Sequence, residues 1–235
     1  MSQQVVVQRV SSTVLEVEDL ADVVRRWPDE AARVWTYEAV ASSSRKEAVE
    51  AIVATGSSVR DVERSDDLDL VLVYRGSRPV LPREPISVDL RLYERDEVLQ
   101  NLAACHDYLS WTVRYGRVLF ERCEWWTTLR SGWKDRLSLP SVSDALARAR
   151  RAEGLYEKLV EIGDTDAAAD LELSMLTSLS RAALSKAGVF AKSRPELADQ
   201  LCGIGERVLA ERLVGALERR TERTTQDFAV RSRFG

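Results

Sequence analysis

The sequence predicts an α+β protein, a small sheet flanked by helices and followed by an all-α helical bundle. Three observations predict it. In the first half, short apolar runs bounded by turn residues recur at residues 51–55 (AIVAT), 68–74 (LDLVLVY) and 86–93 (ISVDLRLY), with the length and punctuation of strands. From Ser143 onward, apolar residues recur instead at three- and four-residue intervals, the period of helices with one buried face. Between the halves lies CEWWTTLRSGWKDRLSLP, which carries Trp125, Trp126 and Trp133 and reads as a junction packed by aromatic residues. An α/β domain over residues 1–137 and a bundle over 138–235 are expected.

Taken in order, VVVQRV and TVLEV in residues 5–17 read as a short strand pair around Ser11-Ser12. Residues 18–48 turn helical, with Pro28 starting a helix that carries Val34, Tyr37 and Ala41 on one face. The three strands follow. The loop RGSRPVLPREP, residues 75–85, holds prolines and a glycine and reads as an irregular excursion between neighbouring strands. Residues 96–119 read as helix broken near Gly116. In the bundle, Leu146, Ala149, Ala152, Tyr156 and Leu159 form one apolar stripe; Leu176, Leu179 and Ala183 form a second, and Leu197, Leu201, Ile204 and Val208 a third. Ser193-Arg-Pro-Glu196 has the form of a capping box at a helix start.

Composition narrows the chemistry. At 235 residues the chain is long enough for one large or two small cores. A net charge of −4 argues against general nucleic-acid binding, which normally shows a basic stripe. No stretch approaches the roughly 18 apolar residues that cross a bilayer, and MSQQVVVQRV lacks the form of a signal peptide, so a cytoplasmic protein without membrane association is expected. Cys105, Cys123 and Cys202 lack CxxC spacing and read as buried free thiols. His106 is the only histidine, which removes two-histidine metal sites and leaves any histidine-activated nucleophile without a motif.

The chemistry concentrates in ATGSSVRDVERSDDLDLVLVY, residues 54–74. Residues two apart share a strand face, so Asp67, Asp69, Val71 and Val73 point one way and Leu68, Leu70 and Leu72 the other. One face therefore opens on two carboxylates and becomes apolar immediately after. Such neighbours repel unless a cation neutralises them, and an all-oxygen set suits a hard ion, Mg²⁺ or Mn²⁺. In ISVDLRLY, Asp89 and Arg91 share the polar face, and Asp89 completes a carboxylate triad if the strands are neighbours. Upstream, Gly56-Ser57 offers close backbone approach, amides and a hydroxyl for phosphate oxygens, with Arg60 in reach of the same anion.

Together these parts resemble the nucleotidyltransferases of the DNA polymerase β superfamily: Gly56-Ser57, nine residues, Asp67-Leu68-Asp69-Leu70, then Asp89 on a later strand. Arg60 matches the arginine of the frequent GSxxR form. Asp61 departs from a common glycine, and Asp66 is an insertion. The resemblance covers about residues 30–122, including YGRVLFER at 115–122, which looks like the closing segment of small members. It implies a small mixed sheet. The C-terminal half more loosely resembles the bundles of kanamycin-type antibiotic nucleotidyltransferases and HEPN domains, without the HEPN arginine-histidine motif.

What the resemblance implies is transfer of a nucleoside monophosphate, AMP being favoured, from an NTP to an acceptor hydroxyl with release of pyrophosphate. Asp67, Asp69 and Asp89 would be the catalytic metal ligands for Mg²⁺ or Mn²⁺, and Gly56, Ser57 and Arg60 the nucleotide-binding residues. The bundle would serve the acceptor or partner, with Glu153 and Glu172 as candidate bases. The favoured acceptor is a small molecule such as an aminoglycoside-like antibiotic. A macromolecular acceptor (a partner toxin protein or a tRNA end), a non-catalytic nucleotide-binding module and a homodimer stay open.

Overall fold

The computed structural model describes residues 12–14, 29–60 and 67–234, with side chains described for 29–60 and 67–222. The chain divides into two compact units, residues 1–137 and 138–235. Among the described residues the first unit holds one sheet of five strands: β1 (Ser12–Val14), β2 (Val49–Thr55), β3 (Leu68–Tyr74), β4 (Val88–Glu94) and β5 (Arg117–Arg122), in the order β1-β5-β2-β3-β4. β2 runs antiparallel to β3 and β5, and β5 antiparallel to β1, whereas β3 and β4 are parallel. The fold is α+β with a mixed sheet and a helical C-terminal part.

Helices cover both faces of the sheet, which explains the nearly continuous apolar strands. On one side α1 (Glu30–Ser44) lays Ala32, Trp35, Ala39 and Val40 against Ile52, Leu68, Leu70 and Leu72. On the other, α2 (Arg95–Ala103), α3 (Asp107–Tyr115) and α4 (Trp125–Trp133) bury Val98, Leu109, Val113 and Trp126 against Ala51, Val53, Val71 and Val73. The alternation of β3 is thus the partition between two cores. Trp126 is fully buried, a packing residue as the junction aromatics were expected to be.

The start of α1 is tied to the sheet. Asp29 accepts the Ala31 amide at 2.9 Å as N-cap and also the Ser87 hydroxyl, while the Ser87 carbonyl accepts the Leu68 amide at 2.9 Å. The Ser87 hydrogen bond, foremost, holds the Asp29 carboxyl below its ordinary range. At the other end of α1, Arg122 of β5 donates to the carbonyls of Ser44, Lys46 and Val49 at 3.1–3.3 Å. Next to it, the buried Glu121 carboxylate accepts the Thr127 amide at 2.9 Å and hydroxyl at 2.6 Å. It serves the first turn of α4, whose own N-cap, Glu124, is left-handed and caps nothing.

Several expectations need correction. The helix predicted over 96–119 ends at Tyr115, after a first break at 104–106, and Arg117–Arg122 is a strand between β1 and β2. Gly116 makes the change of direction: a Cβ there would stand 2.5 Å from the Thr112 carbonyl oxygen, 2.8 Å from Val53 Cγ1 and 3.1 Å from the Ala54 carbonyl oxygen. On α1, Val34 and Ala41 are exposed, because Trp35 turns the adjacent face inward. The helix spans only 30–44 of the predicted 18–48, and residues 18–28, Pro28 among them, lie outside the described residues. Of the predicted N-terminal strand pair, Ser12–Val14 pairs with β5, and residues 5–11 and 15–17 likewise lie outside the description. All three cysteines are exposed; Cys105 and Cys123 sit at positive φ in turns that no core covers. Ile86, expected in a strand, is fully exposed ahead of β4.

Residues 75–87 form the irregular connection between β3 and β4. It is held by main-chain acceptors, with Lys46 Nζ donating to the Val80 carbonyl at 2.6 Å and Trp35 Nε1 to the Pro82 carbonyl at 3.3 Å. Val80 itself faces solvent.

The second unit comprises α5 (Val142–Glu161), α6 (Thr165–Lys186), α7 (Leu197–Gly203) and α8 (Arg207–Phe234), around a core that includes Ala149, Ala152, Leu176, Leu184, Leu201 and Leu213. Ser141 and Asp164 cap α5 and α6 through the Asp144 and Ala167 amides, and Ser193 with Glu196 forms the predicted capping box. Val208 is exposed instead of joining its stripe. No helix among the described residues is long and apolar enough to cross a membrane.

Gly116→Ala should lower stability by about 1–3 kcal/mol, since the new methyl meets backbone on two sides and cannot be accommodated by a rotamer change. Urea unfolding with wild-type stability would show that this clamp does not exist. Asp29→Asn should cost stability at neutral pH. Because the Asp29 pKa is depressed in the fold, its contribution is complete above the unfolded value of about 3.9 and lost as pH falls through the folded value. Thermal melts of both proteins should therefore draw together as pH falls below the ordinary carboxylate range; a gap that stays constant with pH contradicts the assignment.

Candidate active site

The candidate residues collect where β2 ends and β3 and β4 begin. β2 closes at Thr55, paired with Asp69, and Asp69 is in turn paired with Asp89 across the parallel β3–β4 ladder. Register partners project from the same face, so Asp69 and Asp89 stand side by side, about 4.8 Å apart at the backbone. The same face continues through Val71 and Val73 into the core beneath α2–α4. Asp67 lies exposed, one residue ahead of β3.

Gly56 follows Thr55 with φ 72° and ψ −156°, a conformation that is essentially glycine's alone. It leads into a single 3₁₀ turn, Ser57–Val59, closed by the Arg60 amide on the Ser57 carbonyl at 3.0 Å. The buried Ser58 hydroxyl donates to the Thr55 carbonyl at 3.0 Å and fixes the turn to the strand. A Cβ on Gly56 would stand 2.0 Å from Asp69 Oδ2 and 2.9 Å from its Cγ. The turn and the carboxylate are therefore in direct contact: Gly56 is glycine so that Asp69 can lie against it. Arg60 stacks over the Tyr115 ring, 4.9 Å from its centroid.

Asp89 is engaged by its own strand. Arg91 donates to Asp89 Oδ2 from Nε at 3.2 Å and Nη2 at 2.9 Å, and its guanidinium lies 4.1 Å from the centroid of the Tyr108 ring. Tyr108 comes from α3, whose N-cap is His106; the imidazole Nδ1 accepts the Leu109 amide at 3.3 Å. The only histidine is thus spent on a helix end. Among the described residues the buried Tyr108 hydroxyl has no hydrogen-bond partner, and burial, followed by the Asp69 charge, pushes the phenol well above its ordinary range. It stays protonated, a donor beside two carboxylates.

For a divalent ion, the donor set is right in kind, hard carboxylate oxygens from adjacent strands. As arranged, the side chains do not converge: among the described residues no group of three His, Cys, Asp or Glu could hold a metal ion. Backbone register supplies the pair Asp69 and Asp89, with Asp67 nearby in sequence, and the positive group at Asp89 is Arg91. Of the candidates, Gly56, Asp69 and Asp89 are brought together, and Ser57 and Arg60 follow on the same turn. Asp61 and Asp66, the departures from the motif, lie outside the described residues. Glu172 accepts from Arg219 at 2.7 Å within the second unit, and Glu153 is exposed on α5.

Tyr108 and Tyr115 were missed from the sequence. Their spacing within one helix, with the Thr112 hydroxyl between them bonded to Thr55 Oγ1 at 3.1 Å, is a signal only once α3 is known to cross the end of β2.

No protein-family profile matches the chain. No curated protein matches it either. Among solved structures, one described as a nucleotidyltransferase-like protein from Exiguobacterium sibiricum 255-15 is similar over 80% of this chain and 71% of its own, at 20% identity and a TM-score of 0.32.

Gly56→Ala should destabilise the protein by about 2 kcal/mol or more, combining a positive-φ penalty with displacement of the Asp69 carboxylate. Gly132→Ala, in α4 with open space around its Cβ, should instead stabilise by about 0.5–1 kcal/mol. Equal melting temperatures for the two variants would refute the contact at Gly56.

Proposed function

We propose that this protein is a metal-dependent nucleotidyltransferase that transfers AMP from ATP to a hydroxyl of a small, aminoglycoside-like acceptor and releases pyrophosphate. The observation that carries the reading is the register of Asp69 beside Asp89, directly against the Gly56 turn. Paired carboxylates facing a turn that offers amides and a hydroxyl bring together what phosphoryl transfer needs, which is positioning and charge with no covalent residue.

In this reading Asp67, Asp69 and Asp89 hold Mg²⁺ or Mn²⁺. When bound, the ion neutralises charge that develops on the triphosphate. Ser57 and the amides of its turn receive phosphate oxygens, and Gly56 lets them approach. Arg60, stacked on Tyr115, adds a positive group on the same side. The acceptor oxygen forms a bond to the α-phosphorus, and the bond from that phosphorus to the α,β-bridging oxygen breaks. Its electron pair leaves with pyrophosphate. The acceptor's proton passes to a carboxylate of the cluster, for which Asp89 is the candidate.

The test is incubation with labelled ATP, CTP, GTP and UTP, Mg²⁺ and a panel of aminoglycosides. Pyrophosphate release that requires both the metal and an acceptor is expected, with ATP preferred. Transfer only to a protein or a tRNA would replace the acceptor class, and no transfer to any acceptor would remove the reading.

Two variants sharpen it. Ser57→Ala should weaken ATP binding roughly tenfold or more, the worth of a hydrogen bond to a charged group, with the fold unchanged. Unaltered affinity in a titration would make the turn structural only. Asp67→Asn with Asp69→Asn should leave thermal stability unchanged or raised, because repulsion is relieved, and should abolish the stabilisation by Mg²⁺ and ATP. That stabilisation is about 2.7 kcal/mol at 100 times the dissociation constant. A destabilised double variant that still responds to Mg²⁺ and ATP contradicts the assignment.

A further inference from the structure

We propose that Arg91 is a resident cation that holds Asp89 in the metal-free chain, and that a divalent ion binds between Asp69 and Asp89 by taking Asp89 from it. This rests on the metal-dependent reading above and adds to it a residue of this chain that sets the metal affinity.

The geometry is specific. Both Arg91 donors converge on one oxygen, Oδ2 of Asp89, at 3.2 and 2.9 Å, so the guanidinium fills the side of the carboxylate that it faces. Arg91 and Asp89 are two residues apart on β4 and share its face, the face on which Asp69 is Asp89's register partner. The guanidinium is aimed by a second contact, the Tyr108 ring 4.1 Å away, so its position does not depend on Asp89 alone. A planar fork and a ring platform are features that arginine supplies and lysine does not.

The pair is also exchangeable. Both side chains are 45% exposed, so water competes for each partner, and exposed pairs are weak. The contrast within the same sheet is Glu50, 4% exposed and flanked by Arg75 at 3.3 Å and Arg95 at 3.6 Å. That carboxylate is buried and already faces two guanidinium groups. Asp89 faces solvent and can trade one charge for two.

Mn²⁺ titrations of the full chain, read by the electron paramagnetic resonance of free Mn²⁺ without nucleotide, test this on wild type, Arg91→Gln and Arg91→Lys. Circular dichroism establishes that each is folded. Both variants should bind Mn²⁺ more tightly, by roughly two- to fivefold, the range that loss of an exposed ion pair sets. The lysine variant separates the pair from mere charge. Tightening in Arg91→Gln but not in Arg91→Lys would mean that net charge alone acts, and would overturn the proposal, as would unchanged or weaker binding in both. Binding in the variants with none detectable in wild type would support it. Absence of Mn²⁺ binding in all three proteins would sink the metal-dependent reading itself, a result distinct from wild-type binding that the variants leave unaltered. In wild type, the Arg91 Nε–H resonance should shift on addition of diamagnetic Mg²⁺; a resonance indifferent to saturating Mg²⁺ contradicts displacement.

Discussion

The candidate site depends on one close approach, the Asp69 carboxylate lying where a side chain at position 56 would begin. Everything around it serves that contact. The antiparallel register of β2 and β3 sets Thr55 opposite Asp69, so the chain leaving β2 must pass the carboxylate at once. Only glycine can take the required dihedral angles and leave the space. The Ser58 hydroxyl then pins the turn back to Thr55, and Thr55 is pinned in turn to Thr112 of α3. The end of β2, the turn and a helix are thereby fixed to one another through short hydrogen bonds, while Asp69 arrives by the β2–β3 register and Asp89 by the β3–β4 register.

Much of this could be read from residue order because it is a matter of period. The alternation of LDLVLVY gives the division between two cores and the side on which Asp69 lies, and Asp89 follows from the same rule applied to ISVDLRLY. Gly56 could be singled out as a turn residue, though not the carboxylate that makes it obligatory. What stayed hidden depends on tertiary neighbours. The break near Gly116 could be read, but not that RVLFER leaves the helix for the sheet, which goes with the packing of Gly116 against Val53 and Ala54. The buried face of α1 was misjudged by one residue because Val34 and Trp35 are both apolar and adjacent, and burial goes to the larger. Tyr108 could not be placed at the site while its helix was merged with the strand that follows.

β5 also shows how a central strand can carry charged residues. Glu121 and Arg122 are neighbours with opposite charges and opposite assignments: one supplies an acceptor to the start of α4, the other donors to the end of α1. Helix ends leave backbone groups without partners, and here one such group at each of two helix ends is satisfied from the same strand. Arg122 is held by main-chain carbonyls, and Glu121 by the amide and hydroxyl of Thr127. The unit is stitched across its two helical layers by polar side chains whose partners cannot be inferred from sequence spacing.

The connection between β3 and β4 has a consequence of another kind. Its fastenings, from Lys46 and Trp35, reach the carbonyls of Val80 and Pro82, groups that every amino acid possesses. The side chains of Val80, Arg83, Glu84 and Ile86 point into water and hold nothing of the fold. At those positions selection on stability therefore reads the path of the segment and is nearly blind to its spelling, unlike at Arg75, Leu81 and Ser87, whose side chains meet Glu50, the core and Asp29. Descendants of this chain can drift there at little cost, so that the stretch is where close relatives should first become unrecognisable to one another.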